Sequence, residues 1–257
     1  MQILRTYVPD SFQNYNHLVY CEQQRTAAAV DPFDAEHLIQ LARQQDLSIN
    51  AIWITHEHGD HIRHVNELKA ATGARVFAPA GCIGKVAADV WLEDNDRLRV
   101  GDQQALFWFT PGHTPAHGVF YVDQDEPALI CGDTLFNAGV GNTRSGSTDV
   151  LYDSIERLRR DTAEHARIYP GHDYLPNNLA FALSIQPDLQ PALKLKAEAD
   201  TQTPDTRTVT TFEQELSFNL FLRLDDPELT RALADRDYPT DSALDRFRAL
   251  RALRDQW

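Results

Sequence analysis

The chain has 257 residues, enough for one large domain or for a domain of about 150 to 200 residues with a smaller partner. Its 42% apolar and 24% charged residues are ordinary for a globular protein and exclude disordered, collagen-like and coiled-coil classes. With 24 basic against 38 acidic residues the formal charge is −14, which repels a phosphate backbone, excludes nucleic acid as a partner and obliges any anionic substrate to find a local basic patch.

From the N-terminus, Met1 to Val8 lacks a basic region followed by an apolar stretch. No apolar run approaches the roughly 18 residues a bilayer needs, so a cytoplasmic chain without a membrane partner is expected. Runs rich in branched and aromatic residues predict strands at 18–21, 27–30, 51–55, 75–78, 105–110, 119–122, 128–131 and 167–169. Helices are predicted at 34–45, opened by Asp34 and Glu36, at 62–72, closed by Gly73, and at 148–160, where Val150, Leu151, Ile155 and Leu158 recur at helical spacing. Beyond residue 177 the sequence reads as helices with Pro-containing connections, apart from a β-like patch at 208–211. A boundary near residue 175 is therefore expected, with an α/β domain over 1–175 and a mostly helical one over 176–257. Cys21, Cys82 and Cys131 are odd in number and lack ligand spacing, which fits reduced thiols.

Histidine is the informative residue. The string Thr55-His56-Glu57-His58-Gly59-Asp60-His61 follows a predicted strand and precedes a predicted helix. His56 and His58, two apart in an extended segment, point to one side and can chelate one ion, while Asp60 and His61 on the following turn can serve a second. Three more predicted strands each lead into a loop with ligand-type side chains: Gly112-His113-Thr114, Gly132-Asp133-Thr134 and Gly171-His172-Asp173. Four such loops in order point to one polymetal pocket at a common sheet edge.

These motifs, with the strings CGDTLF at 131–136 and GHDY at 171–174, resemble the metallo-β-lactamase fold and, within it, the glyoxalase II or hydroxyacylglutathione hydrolase family. The resemblance implies a four-layered αββα sandwich closed by a helical C-terminal domain. It implies one metal on His56, His58 and His113, a second on Asp60, His61 and His172, and Asp133 bridging both. The cofactors expected are two divalent ions, zinc first, with iron or manganese also suited to His/Asp ligands. Two such ions lower the pKa of a bridging water, and the hydroxide attacks a thioester carbonyl whose oxyanion the metals stabilise. Asp60 and Asp133 are thereby catalytic through the metals, and the neighbouring cations keep Asp60 a ligand rather than a base.

The family's substrate is an acylated glutathione, S-D-lactoylglutathione, hydrolysed to D-lactate and glutathione. The run Leu250-Arg251-Ala252-Leu253-Arg254-Asp255 resembles the family's terminal stretch, whose two basic residues bind the glycine carboxylate, and Tyr174 matches a tyrosine that contacts the peptide. A solvated basic helix face and a packed aromatic are the bland alternatives for these residues. The chain departs from the family at Gly139–Gly146, where Asn142 replaces a basic residue and Arg144 an aromatic; Arg144 could restore the charge. Arg63-His64 stands where two glycines are common, Ala116 replaces a glycine and Leu220 a proline. The rival readings are a persulfide dioxygenase with one iron, a lactonase or other thioesterase, and a metal-binding module without turnover. Oligomeric state is not legible.

Overall fold

The computed structural model describes residues 1–257. Its first sheet carries six strands in sequence order: β1 (Gln2–Tyr7), β2 (Tyr15–Cys21), β3 (Thr26–Val30), β4 (Ser48–Trp53), β5 (Arg75–Pro79) and β6 (Val90–Leu92). β1 to β3 pair antiparallel, and β3 to β6 pair parallel. The second sheet continues with β7 (Arg97–Val100), β8 (Gln103–Phe109), β9 (Gly118–Val122) and β10 (Ala128–Gly132) as an antiparallel meander, with β13 (Arg167–Pro170) added parallel to β10. Between them in sequence lie the two-residue strands β11 (Leu135–Phe136) and β12 (Gly139–Val140), paired as a small hairpin.

Period-2 alternation sorts the side chains into layers. Val19, Ala28, Trp53, Phe107, Phe120 and Ile130 fill the space between the sheets, with the Trp53 and Phe120 rings 5.0 Å apart. Their neighbours Leu18, Ala27, Ala29 and Ile52 face outward onto α1 (Ala35–Gln44) and α3 (Val65–Thr72). Trp108, Val119, Tyr121 and Leu129 face the other way, onto α4 (Thr148–Asp161) and the C-terminal helices. The result is the expected αββα sandwich.

The predicted helix over 62–72 starts later, as α3 over Val65–Thr72, and a separate one-turn helix α2 (Gly59–Ile62) precedes it. His64 leaves helical geometry at φ −111° and ψ 21°, and its N–H goes to the Pro32 carbonyl. The predicted 208–211 patch forms no strand of its own; Thr211 makes a single bridge to Arg167, and Ile168 N–H bonds the Thr210 carbonyl. β1, β6, β7 and the two-residue β11 and β12 are additional to the predicted strands. β1, β6 and β7 lie at sheet edges: β7 alternates polar with apolar residues over only four positions, β1 mixes them without a strict period, and β6 is only three residues long.

After β13 the chain is helical: α5 (Leu175–Ile185), α6 (Gln190–Ala199), α7 (Phe212–Phe218), α8 (Pro227–Ala234) and α9 (Ala243–Gln256). Ser242 caps α9 reciprocally with Asp245, which satisfies the Ser242 and Asp245 amides. This region is tied to the hairpin by Glu215, fully buried, whose carboxylate accepts from Ala138 N–H, Asn137, Asn219 and the Thr210 hydroxyl. No helix is long and apolar enough to cross a membrane.

Candidate metal centre

The ligand-type side chains sit where strands end. Parallel pairing of β3 with β4 and of β10 with β13 brings the segments after their C-terminal ends to one edge of the sandwich. His56, His58, Asp60 and His61 follow β4, Asp133 follows β10 and His172 follows β13; His113 follows β8.

Two groups form there. His58 Nδ1 lies 3.1 Å from His56 Nε2 and 3.0 Å from His113 Nε2. His61 Nε2 lies 3.2 Å from His172 Nε2, and both are 3.5 Å from Asp60 Oδ2. Asp133 stands between the groups: Oδ1 is 3.4 Å from His61 Nε2, while Oδ2 is 3.3 Å from His172 Nε2 and 3.5 Å from His113 Nε2.

The far side of each imidazole settles which nitrogen carries the proton. His113 Nδ1 faces the Asn142 carbonyl at 2.7 Å and His172 Nδ1 the Phe12 carbonyl at 2.8 Å; a carbonyl only accepts, so both Nδ1 atoms donate. His61 Nδ1 likewise meets Asp31 Oδ2 at 2.9 Å. The Thr55 hydroxyl donates to Asp31 at 2.6 Å and is left to accept from His56 Nδ1 at 3.0 Å. All four imidazoles therefore turn an Nε2 lone pair inward. His58 is reversed, with Nε2 toward Ser145 Oγ at 3.2 Å and Nδ1 inward.

Lone pairs facing at about 3 Å repel unless a cation or proton lies between them, and nitrogens around one tetrahedral zinc stand about 3.3 Å apart. Asp133 Oδ1 is buried with no hydrogen-bond partner, a cost of about 1 to 3 kcal/mol or more unless something electropositive meets it. The donor set fits metal ions in both groups. Burial would raise the Asp133 pKa, but His172, His61 and His113 hold it well below the carboxylate range. Burial would lower the His61 pKa, but Asp133, Asp31 and Asp60 outweigh it and carry it up to about 10, a measure of the negative field into which a cation would be drawn. Burial pushes His56 and His113 down, leaving them neutral and ready to ligate.

Close approach of backbone makes the convergence possible. A Cβ on Gly141 would lie 2.0 Å from the Asp133 carbonyl oxygen, and Gly112, at φ +132°, passes so close to Leu151 that a Cβ would be 2.3 Å from its Cα. His117 is fully buried, with its ring stacked on that of His56 at 4.7 Å. Its Nε2 accepts the Asp133 N–H at 2.9 Å and its Nδ1 meets Thr134 Oγ1 at 2.9 Å, so it holds the Asp133 backbone in place.

The sequence reading missed the partners behind the ligands. Asp31, at the end of β3 with φ 46°, accepts the Thr55 N–H as well as the bonds to the Thr55 hydroxyl and His61. Asn14 approaches Asp60 Oδ2 at 3.3 Å. The Asp-Pro after a strand was the available signal for Asp31; Phe12 contributes only a carbonyl and leaves none.

The residues expected to meet substrate are dispersed around this edge. The Tyr174 ring stacks on His172 at 4.9 Å and 1°. Arg254, half-buried, donates to Asn178 Oδ1 at 3.1 Å, and Arg144 is exposed. Arg251 is 4% exposed, and its guanidinium donates to the Val140 and Gly141 carbonyls and to Asp255.

Residues 22–81 and 85–175 match the family model described as metallo-beta-lactamase superfamily, and residues 173–257 match the one described as hydroxyacylglutathione hydrolase C-terminus. A hydroxyacylglutathione hydrolase of Nitrosococcus oceani is 36% identical over 263 aligned positions that span both chains completely. The chain belongs to the hydroxyacylglutathione hydrolase family. Among solved structures, that of ETHE1 from Myxococcus xanthus shares the fold with this hydroxyacylglutathione hydrolase family member at a TM-score of 0.67 and 24% identity, over 98% of this chain and 99% of that one. TTHA1623, solved in a di-iron-bound form, matches 66% of the chain and 91% of its own length at a TM-score of 0.55 and 27% identity.

Proposed function

We propose that this protein hydrolyses a glutathione thioester, S-D-lactoylglutathione, to D-lactate and glutathione. The observation that carries the reading is the pair of inward-facing donor groups, His56/His58/His113 and Asp60/His61/His172, with one carboxylate, Asp133, within reach of both. We assign one divalent ion to each group and Asp133 as their bridge, with zinc as the metal and iron or manganese equally suited to the ligand types. Bound there, two such ions supply a nucleophile from water near neutral pH and polarise the carbonyl under attack.

The chain's own residues do the rest. The Phe12 and Asn142 carbonyls, Thr55 and Asp31 fix the imidazoles, so little reorganisation is needed when ligand binds. A thiolate leaves with a pKa near 8.5, so no strong general acid is required, and Asp60 and Asp133 act through the cations rather than by proton transfer. Arg144, Arg251, Arg254 and Tyr174 are assigned to the carboxylates and backbone of the tripeptide, a local exception in a chain of charge −14. Division into a metal-binding domain over 1–175 and a substrate-binding one over 176–257 follows this assignment. The cytoplasm is the compartment we propose, in keeping with three free, buried cysteines.

Asn142 and Arg144 favour one second reading, a lactonase or another thioesterase of the same fold. Elemental analysis combined with turnover of glutathione thioesters, free lactones and glutathione persulfide separates the possibilities. Preferred hydrolysis of S-D-lactoylglutathione with two ions per chain is expected. Activity on lactones alone, or oxygen-dependent consumption of the persulfide with one iron, refutes the proposal.

A further inference from the structure

We propose that Asn178 is a positioning residue for the reaction: its side-chain amide holds the Arg254 guanidinium in the orientation that receives a substrate carboxylate. The inference rests on the assignment of Arg254 to the tripeptide made above and goes one residue behind it. Asn178 is 3% exposed and lies four residues after Tyr174, whose carbonyl its N–H meets at 2.8 Å. The two side chains therefore share one side of the start of α5, and the Tyr174 ring is the one stacked on His172. Both ends of the Asn178 amide fix how it is turned. Nδ2 lies 2.9 Å from the Asn137 carbonyl, which only accepts, so this end is the donor. Oδ1 is left to accept from Arg254, Nη2 at 3.1 Å and Nε at 3.4 Å, and a guanidinium only donates.

The amide itself has little freedom. Asn137 donates to the buried Glu215 carboxylate at 3.1 Å, and Gly139 packs directly against the Asn178 side chain. Arg254 Cζ stands 5.9 Å from the ring centre of Phe181, on the same helix as Asn178. One edge of the guanidinium is thus occupied by the amide oxygen, while Nη1 has no protein partner and is not enclosed. The choice of an amide matters. A neutral oxygen orients the guanidinium without cancelling its charge, whereas a carboxylate in its place would orient and neutralise it together. A long side chain held in this way before substrate arrives has less rotamer freedom left to lose on binding.

The experiment is a double-mutant cycle in the full-length protein, with Asn178→Ala and Asn178→Asp each made alone and together with Arg254→Ala. Kinetics are read on S-D-lactoylglutathione and on S-D-lactoyl-N-acetylcysteamine, a thioester without carboxylates, and metal content is measured alongside. Asn178→Ala is expected to raise KM for the glutathione thioester about threefold to tenfold, the cost of ordering one freed arginine, with kcat and metal content little changed and KM for the carboxylate-free thioester unmoved. Asn178→Asp should raise that KM by about tenfold or more, because Arg254 then pairs with the introduced carboxylate. In the Arg254→Ala background neither substitution should raise it further. An unchanged KM, a rise of equal size on both thioesters, or one that persists without Arg254 would make Asn178 a packing residue of the hairpin and overturn the proposal. If the alanine variant does not fold, the isosteric Asn178→Asp carries the same comparison. The thioesterase reading fails separately: wild type inert toward both thioesters refutes it, and the cycle is then read on the Kd of S-methylglutathione, which is not hydrolysed. Weaker binding in the Asn178 variants only while Arg254 is present supports the positioning role, and equal or absent binding throughout overturns it.

Discussion

The two donor groups are built on different chemistry although they share Asp133. His56, His58 and His113 are three imidazoles steadied by neutral partners: the Thr55 hydroxyl, the Ser145 hydroxyl and the Asn142 carbonyl. Asp60, His61 and His172 include a carboxylate, and behind His61 stands a second one, the buried Asp31. The first group therefore depends on the placement of the loop over residues 142–145, and the second on charge buried at the end of β3. Orientation by a loop and orientation by a buried carboxylate should fail in different ways, and each failure is measurable.

The largest effect is expected where the difference disappears. Asp133→Ala removes the one side chain within reach of both groups, so metal content should fall at both and turnover by more than a hundredfold, beyond the usual loss for an outer partner. Near-normal turnover with both ions retained would dismiss the bridge.

His17 supplies a control for buried imidazoles that lack a partner. Its Nε2 is buried without a hydrogen bond, and burial, helped by Arg5 and His61, lowers its pKa to about 3 from the ordinary 6.5. A depressed histidine favours the neutral folded state. Its contribution is complete above pH 6.5 and is lost as pH falls from 6.5 toward 3, on the order of several kcal/mol in all. Urea unfolding from pH 7 to 4 should show a flatter acid limb in His17→Leu; parallel curves would locate the acid sensitivity elsewhere.

Asp31→Asn should weaken metal binding 10- to 100-fold at the second group and less at the first, where Asp31 acts only through Thr55. Equal losses at the two groups, read by chelator competition, would erase the proposed asymmetry. The smallest change is expected from Ser145→Ala. One hydrogen bond of about 1 kcal/mol amounts to roughly a fivefold loss at the first group alone, and an effect confined to the second group would contradict the arrangement.

How much of this the sequence disclosed follows from how local each signal is. His56 to His61 lie within one loop, and strands such as β9 and β10 are five-residue apolar runs, so both are visible without the fold. Asp31 reaches Thr55 and His61 only because β3 and β4 are parallel neighbours, a pairing that no single segment encodes. Phe12 and Asn142 act through carbonyl oxygens that every residue has. For Arg251 the sequence discloses the charge and not its surroundings. Its place on a terminal helix suggests a carboxylate contact or a solvated face, and backbone acceptors with Asp255 let it be buried, desolvation lowering its pKa against the pull of that carboxylate.

The apolar layer outside the second sheet has a consequence for how such a chain can be taken apart. Trp108, Val119, Tyr121 and Leu129 of the strands share one continuous cluster with Phe181, Phe221, Phe247 and Leu250 of the terminal helices. A cut at the junction near residue 175 would not release two self-sufficient pieces. The amino-terminal fragment would present a sticky aromatic wall to solvent and the helical fragment its matching half, so the two are expected to aggregate apart and to reassociate when mixed. The part of the protein that holds the chemistry and the part assigned to recognition are in this sense a single folding unit, and any transplant of the terminal helices onto another sandwich must bring a complementary sheet face with it.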